Sequence, residues 1–200
     1  MRCDVLMSSL ACALMLLACA PTTAQQPTAG PEAAHGGQGQ VVESPQGKPA
    51  SADVLRGRLK ARHVEDLPTA QELKKHRDAQ AALIWIAGND DAMVVRVRAL
   101  SLLRHFPTDE AFEALAQRAG AQKIHPTLRA AAMRGLEGQT ARPQAQALLK
   151  DALRHKDRRV AMAAAKALAA DPDCASLLAE AAADPLVNEA VRKKLQQEAP

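Results

Sequence analysis

Hydrophobic positions along this chain recur on two scales. Locally, apolar residues fall every three or four positions, the spacing that lays a single stripe along an α-helix. Over longer distances one nine-residue frame returns. Val95, Ala99 and Leu103 set it in VRVRALSLL, and it recurs as Leu128, Ala132 and Leu136, as Val160, Ala164 and Leu168, and as Val187, Val191 and Leu195. The frames begin 33, 32 and 27 residues apart, a period that belongs to stacked supersecondary units rather than to one closed core. Alanine at or near the centre lets a neighbouring helix approach closely. The predicted fold is all-α: an α-solenoid of stacked antiparallel helix pairs over residues 51–200, clearest over 78–197.

Punctuation along the chain divides this region into elements. Ser51 is positioned to cap a leading helix with Val54, Leu55 and Leu59, which would cover the open end of the stack. A short element follows at Thr69 to Lys75, then a helix capped by Asp78, carrying Leu83, Ile84 and Ile86 and stopped by Gly88 and Asn89. Pro107, Pro126, Pro143, Pro172 and Pro185 mark helix starts, where the missing N–H is no loss. Thr108, Asp171 and Asp184 are candidate caps. The resulting helices run near 92–105, 108–119, 126–137, 143–155, 157–169, 172–183 and 185–197. They read as pairs: a helix bearing the frame, a short turn, then a partner helix such as that of Phe112, Leu115 and Ala119.

Composition fits closely packed helices. Hydrophobic residues make up 48% of the chain, yet Trp85, Phe106 and Phe112 are its only aromatic residues. That mixture argues against a β-sandwich. From Ser51 onward there are 24 Lys and Arg against 19 Asp and Glu, a mild excess that fits an acidic partner or an anionic surface.

The first 50 residues are different material. An apolar run from Val5 to Ala18 follows Arg2; it is too short to span a bilayer and suits a signal-peptide core. It ends in Leu16, Leu17, Ala18, Cys19, which resembles a bacterial lipobox. That resemblance implies cleavage after residue 18 and acylation of Cys19, hence a protein lipid-anchored in the bacterial envelope. Ala20 at the next position implies the outer membrane, facing the periplasm. The alternative is ordinary secretion as a soluble protein, with cleavage after Ala24. Between Cys19 and Ala50 the chain is rich in Pro and Gly and poor in large apolar residues, so it reads as a disordered tether with an average reach of about 30 Å.

Paired helices of about 30 residues, Asp91 ahead of Val95-Arg96, and Ala and Leu at the following steps resemble HEAT repeats, of the short bacterial kind related to phycobilin-lyase repeats. The resemblance covers roughly residues 78–197. Leu128-Arg129 keeps the basic residue, whereas Ala161 and Asn188 replace it, so the family's ladder of Asp and Arg is expected to be broken there. The resemblance implies a fold of the HEAT or armadillo type; its motif residues are structural and imply no reaction.

Candidate chemistry is sparse. Ser101, Ser176 and Cys174 lie in apolar helical patterns, and no strained nucleophile elbow is present. No zinc-binding helix pattern occurs, and none of the six His is followed by Glu, which sets aside the His-Glu pairs of HEAT-like di-iron enzymes. Cys174 is the single cysteine of the helical region and reads as a small buried hydrophobe. Trp85, flanked by aliphatics, reads as packing, and His35 as exposed linker. We therefore expect no enzyme, cofactor, metal or small-molecule substrate.

The expected role is a membrane-tethered scaffold for an unidentified protein partner. In the HEAT family the second helix of each pair lines the concave face, which nominates Glu113, Gln117, Lys150 and Arg154 as contacts. The alternative is an anionic polymer, nucleic acid or acidic glycan, bound by the basic segment that adds Lys156, Arg158 and Arg159 to Lys150 and Arg154. Asp151 and Asp157 within that segment, and the lack of stacking aromatics, weigh against nucleic acid.

Overall fold

A computed structural model describes residues 47–121 and 123–198, all within one compact unit, Glu43–Pro200. The predicted signal segment, Cys19 and the tether as far as residue 46 lie outside the described residues. Ten α-helices follow one another: α1 (Ala52–Leu59), α2 (Ala70–Leu73), α3 (Ala79–Asn89), α4 (Met93–Leu102), α5 (Asp109–Gly120), α6 (Pro126–Gly135), α7 (Pro143–Ala152), α8 (Arg158–Ala169), α9 (Ala175–Ala183) and α10 (Glu189–Glu198). No strand occurs among the described residues, so the fold is all-α.

The repeating frame is the core. Val95, Ala99, Leu103, Ala132, Leu136, Val160, Ala164, Leu168 and Val191 are wholly inaccessible, with Leu128 and Val187 close to it and Leu195 half-buried. Burying one branched aliphatic side chain contributes about 1.5–3 kcal/mol, so these positions hold the helices together. The frame-bearing helices form a run of contacts, α4 on α6, α6 on α8 and α8 on α10, while α3 touches α5 and α5 touches α7. α1 packs on both α3 and α4, with Leu55 and Leu59 buried against them.

The pairing differs from the sequence expectation. α3 packs on α4, α5 on α6, α7 on α8 and α9 on α10, whereas α4 with α5 and α6 with α7 make at most marginal contact. The frame-bearing helix is thus the second member of each close pair. The reason lies in the helix ends. α4 and α6 run on into 3₁₀ turns, Leu103–His105 and Leu136–Gln139, and these carry the chain away before it turns into the next helix.

Several caps also differ. Thr108 caps α5 by accepting from the Ala111 N–H at 3.2 Å, and Thr69 forms a reciprocal box with Glu72. Ser51 and Asp78 do not cap their own helices. Instead the Asp78 carboxylate accepts from the Ser51 N–H at 3.0 Å, tying the start of α1 to the start of α3. Asp184 accepts from Leu186 N–H at 2.8 Å and Asn188 from Ala190 N–H at 3.1 Å, which holds residues 185–188 as a turn. α10 therefore starts at Glu189 rather than at Pro185, and Val187 joins the core from that turn.

Asp90, not Asp91, is the structurally engaged acid between α3 and α4. It is 6% exposed, accepts from the Ala92 N–H at 2.8 Å and is ion-paired with Arg56 of α1. Arg96 does not pair with an aspartate. It donates to the Ala87 carbonyl at the C-terminal end of α3, at 3.0 Å. Arg129 donates to Ala121 O just past α5, and Arg98 to Leu59 O and Ala61 O at the end of α1, at 2.7 and 2.6 Å. A cation at a helix C-terminus satisfies carbonyls left without partners and matches the helix dipole. Ala161 cannot do this for α7; Asn188 takes over, donating from its backbone to Leu153 O at 3.0 Å and from its side chain to His155 O at 3.3 Å.

Candidate functional site

The two sets of helices differ in charge. α4, α6, α8 and α10 carry Arg96, Arg98, Arg129, Arg134, Arg158, Arg159, Lys166, Arg192, Lys193 and Lys194 against only Glu189 and Glu198. α3, α5, α7 and α9 carry Arg118 and Lys150 against Asp109, Glu110, Glu113, Asp151 and Glu180. The mild net charge of the chain therefore conceals a basic set and an acidic set.

On the acidic set, charges are spent between neighbouring helices. Arg142 pairs with Asp109 at 2.6 Å, Lys150 with Glu180 at 2.8 Å and Arg154 with Asp184 at 2.7 Å, and Gln80 donates to Glu110 at 2.6 Å. These partners are 30 to 33 residues apart, one repeat. Such exposed pairs contribute up to about 1 kcal/mol each, so they set register more than stability.

On the basic set the cations mostly lack acids. Among the described residues, Arg96, Arg98, Arg129, Arg134, Arg158, Lys166 and Arg192 have no ion-pair partner, while Arg159 pairs with Asp157 and Lys193 with Glu189. Arg134 is half-buried and donates to Ser101 Oγ at 3.4 Å; burial, then the charge of Arg104, lowers its pKa. Burial, then Arg96, does the same to Arg118. Neither guanidinium has a carboxylate to offset its desolvation.

Solvent reaches these helices along a narrow strip. Of α8, Val160, Ala161, Ala163, Ala164, Ala165, Ala167 and Leu168 are buried, leaving a strip of Arg158, Arg159, Met162, Lys166 and Ala169 at helical spacing. A shallow groove separates it from α10, lined by Arg158 and Met162 on one side and Glu189, Ala190, Lys193, Lys194 and Gln197 on the other. The sixth residue after each frame start is Ser101, Arg134, Lys166 and Lys193 in turn. The same register that aligns the apolar frame thus also aligns a polar position.

The residues nominated from sequence fall elsewhere. Glu113 and Gln117 are exposed on α5; Lys150 lies on α7 and Arg154 just beyond it. Glu113, Gln117 and Lys150 belong to the first helix of a close pair and Arg154 to the turn that follows one, none to the second helix, and Lys150 and Arg154 are engaged with Glu180 and Asp184. The basic segment 150–159 is not one patch: with Arg159 on Asp157, only Lys156 and Arg158 remain free of an acid. Cys174 is buried, and burial followed by Asp171 and Asp173 raises its thiol pKa, which suppresses the thiolate. Trp85 packs half-buried against the core, with Lys48 over its ring at 5.5 Å. No group of three potential metal ligands converges, and no helix is long and apolar enough to cross a membrane, among the described residues.

No family model matches the chain, and no curated protein matches it either.

These ion pairs predict acid sensitivity. Hydrogen bonds from Arg159 bring Asp157 from its ordinary 3.8 to about 2. Arg154 lowers Asp184, and although burial pushes Asp90 up, Arg56 and the Ala92 N–H bring it lower overall. A carboxyl whose folded pKa is depressed stabilises the fold fully above its unfolded pKa, and that contribution fades as pH falls through the folded value. We expect a thermal midpoint by circular dichroism that dips slightly below about pH 6.5, where burial and then Arg104 disfavour the protonated His105, and falls steadily below about pH 4. A midpoint that rose below pH 4 would contradict these assignments.

Proposed function

We propose that this protein is a non-enzymatic binding scaffold of the bacterial envelope, an α-solenoid of stacked antiparallel helix pairs similar to HEAT repeats, lipid-anchored through Cys19 and presenting one row of helices to a protein partner. The observation that carries the reading is the succession of contacts α4–α6–α8–α10 beside α3–α5–α7, on frames 33, 32 and 27 residues apart. In a stack of this kind each unit contacts its neighbours and leaves a long continuous side open for binding. The resemblance to HEAT repeats, in which the second helix of each pair lines the concave face, implies that the binding side is α4, α6, α8 and α10, the second helices of their pairs.

Support for a scaffold also comes from the candidate nucleophiles. Ser101 Oγ donates to the Val97 carbonyl at 3.0 Å, as a helix-bound hydroxyl does, and Cys174 is sealed in the core. The polymer reading based on residues 150–159 is the weaker one, because Lys150, Arg154 and Arg159 are already neutralised.

Two measurements test the proposal. Cys19→Ala should move the protein from the membrane to the soluble fraction of cells that process lipoproteins; unchanged fractionation would discard the anchor. Crosslinking in the native envelope, read by mass spectrometry, should give a reproducible adduct to one protein, with linkages concentrated on residues of α4, α6, α8 and α10. Adducts absent, or spread evenly over the surface, would discard the scaffold.

A further inference from the structure

We infer that the side formed by α4, α6, α8 and α10 docks an acidic helix of a protein partner, with Arg134, Lys166 and Lys193 receiving its carboxylates. The inference rests on the scaffold reading and adds the chemistry of what is bound.

Charge provides the first argument. α4, α6, α8 and α10 hold ten Lys and Arg against two Glu; Arg96, Arg98 and Arg129 are taken up by carbonyls at helix ends, whereas Arg134, Arg158, Lys166 and Arg192 have neither such a carbonyl nor an ion-paired acid among the described residues. The acids on and beside α5 and α9 show that this sequence makes cross-repeat ion pairs where it places them. Leaving Arg134 and Lys166 without an acid therefore leaves an electrostatic demand that an acidic partner meets. Glu189 is the one carboxylate bordering the groove; its bond to Lys193 is an exposed pair, 2.7 Å long and one helical turn apart, of the weak kind that a partner displaces.

Spacing provides the second. Packed helices lie about 8–10 Å apart, so equivalent side chains on α6, α8 and α10 recur at about that interval. A helix laid across them presents residues seven apart at about 10.5 Å along its axis. Glutamates at a heptad interval therefore meet Arg134, Lys166 and Lys193 in turn. Met162 and Ala190, in the groove between the cations, offer apolar surface to the residues between those glutamates.

Two other anionic classes fit less well. Single-stranded nucleic acid is held largely by stacking on aromatics, and none of the aromatic residues lies on α4, α6, α8 or α10. A fluid bilayer has no fixed headgroup spacing to exploit. Here the spacing is built in: Arg134 is tethered to Ser101, and Lys166 rises from a helix buried on its other sides.

The experiment uses full-length protein in detergent micelles and a fluorescent helical peptide with glutamate at every seventh position. A sequence-scrambled peptide of the same composition, heparin, duplex DNA and phosphatidylglycerol vesicles serve as comparisons. The patterned peptide should bind at least about tenfold tighter than the scrambled one. Combining Arg134→Gln, Lys166→Gln and Lys193→Gln should weaken it by at least about tenfold, while Lys150→Gln with Glu180→Gln on the other side leaves it unchanged. If the triple variant misfolds by circular dichroism, Lys166→Gln alone, at an exposed position, should still cost about threefold. Equal affinity for patterned and scrambled peptides, an unaffected triple variant, or tighter binding to heparin, DNA or vesicles that the triple variant abolishes would each overturn the inference. The scaffold reading fails separately, when envelope crosslinking returns no protein adduct for the wild type.

Discussion

Gly138→Ala should lower the thermal midpoint by about 4–8 °C, a large effect for adding one methyl group at an exposed position. Gly138 sits in the 3₁₀ turn Leu136–Gln139 that extends α6, and that turn lies against its counterpart Leu103–His105 at the end of α4. A Cβ at Gly138 would fall on the Arg104 carbonyl oxygen, far inside van der Waals contact, and 3.1 Å from the Arg104 Cα. Because the obstacle is backbone, no side-chain rotation relieves it. Alanine would ordinarily stabilise by about 0.4–1 kcal/mol through the unfolded chain; forced overpacking costs about 1–3 kcal/mol or more, so the clash wins. At about 2–4 °C per kcal/mol for a domain of this size, a net loss of about 2 kcal/mol, from a clash at the upper end of that range, gives the stated shift. The seam is tied beside it as well: buried Gln139 donates to Phe106 O at 2.8 Å. Gly57→Ala is the control. It lies within α1 with nothing within 4 Å of the added carbon, and should raise stability by up to about 1 kcal/mol. A Gly138→Ala midpoint equal to wild type would show that the two turns do not pack.

That seam marks where reading the sequence stops. Helix positions were legible because the frame Val95, Ala99, Leu103 and its copies combine burial with a period, and because Pro126 and Pro143 open α6 and α7 at the first turn. The phase of the pairs was not. A repeat read as helix A then B is indistinguishable along the chain from B then A, and only the 3₁₀ turns after α4 and α6 decide which helices lie together. Asp90 and Asp91 are likewise equivalent by type; the turn that buries one and exposes the other depends on Arg56, 34 residues earlier. The basic segment near residue 155 looked like a site because neighbours in sequence were counted together. Arg134, Lys166 and Lys193 share one position of the frame along 60 residues of sequence, but that they stand on one set of helices shows only once the helices are sorted into two sets.

Ala164→Leu carries the second large effect and tests the arrangement itself. Ala164 is wholly inaccessible at the centre of α8, the helix that packs on α6, α7, α9 and α10. Three added carbons must be accommodated among its neighbours on α6, α7, α9 and α10, which costs about 1–3 kcal/mol or more. Ala169→Leu, exposed at the end of the same helix, should stay within about 0.5 kcal/mol of wild type. The distribution of the loss matters more than its size. In a stack, stability is a sum of units and nearest-neighbour contacts, and damage at one interface loosens what lies beyond it first. Hydrogen exchange of Ala164→Leu should therefore accelerate in α8, α9 and α10 by about tenfold or more, leaving α1 and α3 near wild-type rates. A single closed core would instead lose protection everywhere together, because its first and last helices share the same contacts. Uniform acceleration from α1 to α10 would remove the stacked arrangement, and with it the open row of helices on which the proposed binding depends.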